Sequence, residues 1–184
     1  MGEVTLLMAR ARDGDRGAFD ELFELLYPEL RQIAHRRLSR NVRNGAMETT
    51  ALVNECYLKF AQRKQLTPDD RAHFLAYSAT VMRSIIVDAA RSANAERRGG
   101  DLHEVTLDTN LIEGIAAPAQ EILDVHAALG ELERVEPRLA RVVEMRYFSG
   151  MTDLEIGEAL GLTDRTVRRD WEKARLLLAH AMRA

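Results

Sequence analysis

The chain has 184 residues with only 5% aromatic residues, and its 26 basic and 29 acidic residues give a net charge of −3 at pH 7. This length suits one ordinary domain or two small ones, and the helix-forming composition predicts an all-α protein. The single Cys56 excludes an internal disulfide and a cysteine-based zinc finger, and without a signal peptide or a run near the roughly 18 apolar residues of a membrane helix we expect a cytoplasmic protein.

The first part of the chain, residues 1–98, predicts three or four helices in one compact domain. A first stripe of apolar residues at helical spacing, with Pro28 expected to kink or restart the helix, consists of Phe19, Leu22, Phe23, Leu26, Leu30 and Ile33. A second stripe follows Thr49-Thr50 and consists of Leu52, Val53, Cys56, Tyr57 and Phe60. A long helix comes next, with a predicted buried stripe of Phe74, Ser78, Val81, Ile85 and Ala89.

The opposite face of this long helix is basic and rich in hydrogen-bonding groups. A helical wheel places there Arg83, Ser84, Val87, Arg91, Asn94 and Arg98, with Asp88 at the flank. Arginine can clamp phosphates or guanine edges, and the polar side chains can hydrogen-bond an exposed base. The alternative interpretation is an ordinary solvated helix face.

Residues 99–121 predict a flexible acidic linker, because isolated apolar residues without a period surround Gly114 and Pro118. The net charge is +3 over residues 1–98, −8 over 99–133 and +2 over 134–184. Such weakly basic ends would bind DNA poorly alone, since non-specific affinity scales with the phosphates neutralised. We therefore expect a larger partner on DNA.

Residues 122–184 predict a four-helix domain that ends in a helix-turn-helix unit. Thr152 and Glu155 have the spacing of a capping box, which starts a helix at Asp153, and Gly161 ends that helix. Thr163 is expected to cap the last helix, whose apolar stripe is Val167, Trp171, Ala174 and Leu178.

The polar arc of the last helix, together with its cap, is predicted to face duplex DNA. This set is Thr163, Arg165, Thr166, Arg168, Arg169 and Lys173. The alternative is a small bundle that only resembles a helix-turn-helix, but cap, turn and stripe coincide here.

The helix around residues 50–60 carries Asn54 and Glu55 away from its apolar side, as a candidate protein-binding face or an ordinary solvated one. Catalysis has no comparable signal. The five histidines show no HxxH or HExxH spacing, and no GxSxG or Walker-type loop exists. We expect no enzymatic activity, no metal and no cofactor.

Several motifs in the second domain resemble the fourth conserved domain of bacterial RNA polymerase sigma factors. They include Glu136-Pro137-Arg138, Arg146-Tyr147-Phe148, Gly150-Met151-Thr152, Leu160-Gly161, Thr166-Val167-Arg168 and Lys173-Ala174-Arg175. In the first domain, Leu52-Val53-Asn54-Glu55 resembles the polymerase-binding helix of the second conserved domain, and Met82-Arg83-Ser84 resembles its promoter-melting helix. The similarity is to the compact extracytoplasmic-function (ECF) group of the sigma-70 family.

This resemblance implies a transcription-initiation factor that binds core RNA polymerase, selects promoter DNA and helps to melt it. It implies that the largest-subunit clamp helices of polymerase contact Leu52, Asn54, Glu55 and Leu58. It also implies that the duplex-facing set reads the −35 element, and that the melted −10 strand contacts Arg83, Ser84, Val87, Asp88 and Arg91. A monomer is implied for the free protein, and an anti-sigma partner is left open.

Two other functions remain as alternatives at this point. A dimeric helix-turn-helix regulator of an operator would need an apolar dimer face and would bind intact duplex without polymerase. A module that only titrates an anti-sigma partner would keep its function when Arg165 or Arg169 is changed.

Overall fold

The computed structural model describes residues 2–38, 45–62, 70–97 and 119–182, and every regular element within these ranges is helical. The N-terminal half consists of α1 (Glu3–Arg12), α2 (Arg16–Leu38), α3 (Gly45–Ala61) and α4 (Arg71–Arg97). The C-terminal half consists of α5 (Ala119–Val135), α6 (Pro137–Val143) with a π-helical turn (Glu144–Phe148) directly after it, α7 (Asp153–Leu160) and α8 (Asp164–Ala181). The predicted all-α class is confirmed.

The predicted linker lies mostly outside the described residues, which leave out 98–118. Only the predicted C-terminal end of the linker, at residue 121, can be compared with the structure. Helix α5 already begins at Ala119, two residues before the predicted end of the linker, and the Ala119 side chain is fully buried.

The core of the N-terminal half is built from α2, α3 and α4, with aromatic rings at its centre. The predicted stripe of α2 is buried, and Pro28 lies inside a helix that continues to Leu38 without restarting. The rings of Phe23 and Tyr57 meet edge to face at 5.1 Å, and those of Phe60 and Phe74 stack at 5.3 Å. Such pairs contribute about 0.5–1.5 kcal/mol each beyond the burial of their area.

Helix α4 is buried on more than one side. Its predicted stripe is buried as expected, but so is a second set that includes Met82, Ile86, Val87 and Ala90. The reason is that α4 also packs against α5, the π-helical turn and α7, so one hydrophobic core runs through both halves. A helix with apolar residues on more than one side needs a neighbouring element on each of those sides.

The helix-turn-helix forms as its local signals predict. The Thr152 hydroxyl accepts a hydrogen bond from the Glu155 backbone N–H, and the Glu155 carboxylate accepts one from the Thr152 N–H, so the capping box is complete. Gly161 ends α7 in the left-handed region, with φ 65° and ψ 35°. Thr163 caps α8 by accepting a bond from the Thr166 N–H.

The close approach of α7 to the turn depends on a glycine that the sequence pattern did not single out. A Cβ on Gly157 would lie 2.7 Å from the carbonyl oxygen of Leu162, which is backbone and cannot rotate away. The Leu162 N–H also donates to the Gly157 carbonyl at 2.8 Å. Gly157 therefore sets the distance between the two helices of the unit.

Candidate nucleic-acid interface

The outer face of α8 presents the predicted duplex-facing cations to solvent. Arg165, Arg168, Arg169 and Lys173 are exposed, whereas the predicted apolar stripe of the same helix packs inward. Val167, Ala174 and Leu178 are buried and Trp171 is half-buried. The predicted division of α8 into a packed face and a basic face is thus what the structure shows.

These cations differ in how strongly acidic neighbours hold them. Arg168 forms ion pairs with Asp164 at 2.6 Å and with Asp153 at 3.4 Å, and the Lys173 ammonium lies 2.7 Å from Glu136. The hydrogen bond from Lys173 lowers the pKa of Glu136 below its usual value. In the part of the chain that the structure describes, Arg165 and Arg169 have no ion-pair partner, so their guanidinium groups can meet phosphate or base edges directly.

Two arginines on neighbouring elements hold α8 in place. Arg138 of α6 forms an ion pair at 2.8 Å with Asp170, whose side chain is only 3% exposed on the inner side of α8. Arg146 of the π-helical turn lies 5.0 Å from the Trp171 ring centre and pairs with Asp153 at 2.8 Å. The sequence pattern offered no signal for Asp170, which is an acidic residue on the apolar side of an amphipathic helix.

The second predicted site comes together around a small cavity beside α4. All five residues predicted to face the melted strand line this cavity of about 230 Å³: Arg83, Ser84, Val87, Asp88 and Arg91. Its other lining residues are Thr80 of α4 and two residues of the C-terminal half, His126 and Glu144.

The five residues are not equally accessible, and here the helical wheel was partly wrong. Ser84, Asp88 and Arg91 are exposed, but Val87 is 2% exposed and the Arg83 side chain 14%. The wheel tells which side faces away from the N-terminal core, and the C-terminal half covers part of that side. Of the other two residues on the predicted face, Asn94 donates to Gln120 of α5 at 2.8 Å, and Arg98 lies outside the described residues.

Lys59 of α3 belongs to the same cluster, although the sequence pattern did not identify it. Its ammonium donates to Ser84 Oγ at 2.8 Å and to Asp88 Oδ2 at 2.9 Å. Helical spacing alone places Lys59 beside the buried face of α3. Only the packing of α3 on α4 shows which polar groups it meets.

Arg83 is held by three groups of the C-terminal half. Its Nη1 donates to Glu144 Oε1 at 3.0 Å, its Nε donates to His126 Nδ1 at 3.1 Å, and its guanidinium lies 5.7 Å from the centre of the Phe148 ring. The Glu144 side chain is 4% exposed and also accepts from Thr80. Burial, and then the charge of Arg83, lowers the pKa of His126.

The candidate polymerase-binding helix α3 divides its predicted contacts between core and surface. Asn54 is exposed, Glu55 is half-buried and the Leu58 side chain is prominent at 50% exposure. Leu52, however, is completely buried in the N-terminal core. The outward face of α3 therefore consists of Asn54, Glu55 and Leu58, and Leu52 supports it from inside.

Other kinds of site have little support in the described residues. Burial raises the pKa of the Cys56 thiol, so this cysteine is a core side chain and not a nucleophile. Among the residues described, no group of histidine, cysteine and acidic side chains is arranged to hold a metal ion. No helix in the described ranges is both long and apolar enough to cross a bilayer.

Fold and site together define an all-α protein with a helix-turn-helix and a second polar cluster on a central helix. The family model described as ECF sigma factor matches residues 1–184, the whole chain, and the chain therefore belongs to the ECF sigma factors. No individual curated protein matches it.

Family membership establishes the general function. The protein binds RNA polymerase and directs transcription initiation from specific promoters, with RNA polymerase and promoter DNA as its partners. Proteins of this family are transcription regulators and not enzymes. Neither the dimeric operator-binding regulator nor the titrating module gains support from the comparisons.

Proposed function

We propose that the three surfaces of this sigma factor divide the work of initiation. The outer face of α8 reads the −35 duplex, the cluster on α4 receives the melted −10 strand, and the outer face of α3 holds the clamp helices of the largest polymerase subunit. The observation that carries the proposal is the pair of separate arginine-bearing surfaces, one on α4 in the N-terminal half and one on α8 in the C-terminal half.

The α8 surface suits a major groove. Its cations project from one side of a helix whose other side is packed, and a groove of B-form DNA admits one α-helix. Arg165 and Arg169 supply bidentate donors for guanine or phosphate, and Arg168 and Lys173 would exchange their carboxylate partners for phosphates. The Thr163 cap stays as the support of the first turn and adds a hydroxyl beside Thr166.

The α4 cluster suits unpaired bases. Opening DNA costs a few kcal/mol for each unstacked base, so an initiation factor needs a surface that holds the exposed strand. Ser84 and Asp88 offer hydrogen-bonding groups for base edges, and Arg91 offers charge for the backbone. Lys59 keeps Ser84 and Asp88 oriented in the absence of DNA.

The α3 surface suits a protein partner. Leu58 supplies an exposed apolar group beside the polar Asn54 and Glu55, which is the mixture found at protein interfaces. The protein acts as a monomer in the cytoplasm, where bacterial polymerase and promoter DNA are found. An anti-sigma factor that bound α3 or α8 would block these contacts.

The test is transcription in vitro with purified core polymerase, with and without the protein, on fragments of genomic DNA. We expect specific start sites that appear only when the protein is present. Unchanged transcripts, together with tight binding of the protein alone to intact duplex, would contradict the proposal and favour an operator-binding regulator.

The division of labour is tested by pairing binding assays on the same variants. Arg169→Glu is expected to weaken promoter binding while polymerase binding persists, and Glu55→Arg is expected to do the reverse. Identical defects of both variants in both assays would contradict the assignment of separate surfaces.

A further inference from the structure

The strand-binding cluster is partly covered by the protein's own C-terminal half. Arg83 lies between α4 and the C-terminal half with its side chain 14% exposed, and Val87 beside it is 2% exposed. While α5 and the π-helical turn stay in place, only a small part of the Arg83 side chain and almost none of Val87 is open to a nucleic acid. The same packing leaves the duplex-facing arginines of α8 in solvent.

The covering groups match the chemistry of the ligand that they displace. The carboxylate of Glu144 occupies the position beside Arg83 that a phosphate would take, since both are anions with oxygen acceptors for a guanidinium. Glu144 also accepts from Thr80 of α4 and from Arg141 of its own half. Two of its three partners are thus on the helix that it covers.

A second ion pair bridges the halves at another place. Arg36 of α2 donates to both carboxylate oxygens of Glu155 of α7, each at 2.8 Å, and both side chains are less than one-third exposed. Burial alone would raise the pKa of Glu155, but the bonds from Arg36 and Thr152 outweigh it and lower that pKa. The two ionic bridges lie beside the apolar contacts that also join the halves, so an opening must break contacts of both kinds.

We propose that this arrangement is a closed, self-inhibited state, in which Glu144 acts as an internal substitute for DNA phosphate on Arg83. This rests on the proposed function of the α4 cluster. In the active state the C-terminal half moves away from α4, Arg83 and Val87 become accessible, and the phosphate backbone of single-stranded DNA replaces Glu144.

The apparent affinity of a ligand falls in proportion to the fraction of protein that is open. Closing therefore lowers affinity for single-stranded DNA, whereas duplex binding by α8 is unaffected because its arginines are exposed in the closed state. The proposal thus predicts a selective effect on one of two DNA forms, which a general loss of folding would not produce.

The experiment compares the full-length wild type with Glu144→Ala, with Arg36→Ala and with the control Glu131→Ala. Glu131 carries the same charge as Glu144 but is exposed on α5, where its partner among the described residues is Arg134 of the same helix. Small-angle X-ray scattering measures compactness, and fluorescence anisotropy measures binding of labelled random-sequence single-stranded DNA and of the matching duplex. Far-UV circular dichroism melts identify any variant that is unfolded, and Arg36→Ala then provides the independent second test.

We expect the wild type and Glu131→Ala to have a radius of gyration near the value of about 16 Å for one compact body of this length. Glu144→Ala and Arg36→Ala should be larger, with single-stranded affinity raised roughly tenfold and duplex affinity unchanged. A wild type that is already extended would overturn the proposal, as would extended variants with unchanged single-stranded affinity. In either case, promoter-specific transcription with core polymerase would still test the proposed function separately.

Discussion

The two arginine-bearing surfaces of this protein differ in what lies in front of them. The predicted duplex-facing cations of α8 face solvent, and in the described residues two of them, Arg168 and Lys173, have acidic partners. Arg83 of α4 instead faces Glu144, His126 and the Phe148 ring of the other half. Under the proposed roles, the α8 surface can bind DNA as it stands, and the α4 surface must first lose an internal partner.

This difference shows that the exposure of a helix face depends on the neighbouring elements as well as on the sequence of the helix. Both helices carry arginines opposite a core-facing stripe, so the same wheel gives both the same prediction. The cations on the outer side of α8 remain exposed to solvent, even where they pair with acidic neighbours. Helix α4 lies between two packed halves, so its second side is interior as well.

The largest expected effect is on the exposed surface. Arg169→Glu places a negative charge where a phosphate or a guanine edge is expected, and the loss of promoter affinity should be roughly 100-fold. The matched control is Arg134→Glu, which makes the same change of charge at an exposed position on α5. Anisotropy titrations of the polymerase complex on a mapped promoter measure both. Equal losses in the two variants would remove the distinction between the α8 surface and the rest of the protein.

The second expected effect is on the geometry that presents α8. Gly157→Ala forces its new methyl group against the Leu162 carbonyl, and we expect a loss of about 2 kcal/mol in the free energy of unfolding. Gly130→Ala is the matched control, because its Cβ meets nothing within 4 Å in the middle of α5. There alanine should stabilise by about 0.5–1 kcal/mol. Thermal melts that shift in the same direction for both variants would contradict this account of the turn.

The third expected effect is on the outer face of α3, the proposed polymerase-binding surface. Glu55→Arg reverses a charge on the outer face of α3, and affinity for core polymerase should fall roughly tenfold. Glu131→Arg on α5 makes the same reversal in the other half. Surface-plasmon titrations with core polymerase measure the two dissociation constants. If Glu131→Arg has the larger effect, the polymerase contact lies on the C-terminal half.

The smallest effect is a pH dependence of the covered surface. His126 accepts a hydrogen bond from Arg83 and is faced by Arg83, Arg91, Asp88 and Glu144. Its pKa in the closed state is below the ordinary value of 6.5, so the closed state binds the proton less well than an open one. The contribution of His126 to the stability of the closed state is therefore fully present above pH 6.5 and declines as the pH falls below 6.5.

Lowering the pH from about 7.5 to about 5.5 should reduce the ratio of closed to open protein. The reduction should be less than tenfold, since His126 is partly exposed. Scattering measured across this range on the wild type and on His126→Asn checks the prediction. A wild type whose compactness changes as little as that of His126→Asn would show that this histidine does not take part.

Local signals were enough to predict both ends of α7, the start of α8 and the exposed face of α8. Thr152 with Glu155, Gly161 and Thr163 act within a few residues of one another, so their effect is readable from spacing. The burial of Val87 and the partners of Arg83 depend on residues about 40 to 60 positions away, which periodicity does not report. Lys59 is an intermediate case, because its helix was predicted but its hydrogen bond to Ser84 was not.

The carboxylate of Glu155 has two roles that a single proton would remove together. It accepts a hydrogen bond from the Thr152 N–H in the first turn of α7, and it accepts hydrogen bonds from the guanidinium of Arg36 in the N-terminal half. Because its pKa lies below the ordinary 4.5, both bonds persist at neutral pH and weaken as the pH falls through that lowered pKa. Fraying of the first turn of α7 and loss of the Arg36 bridge should therefore appear in one acid transition.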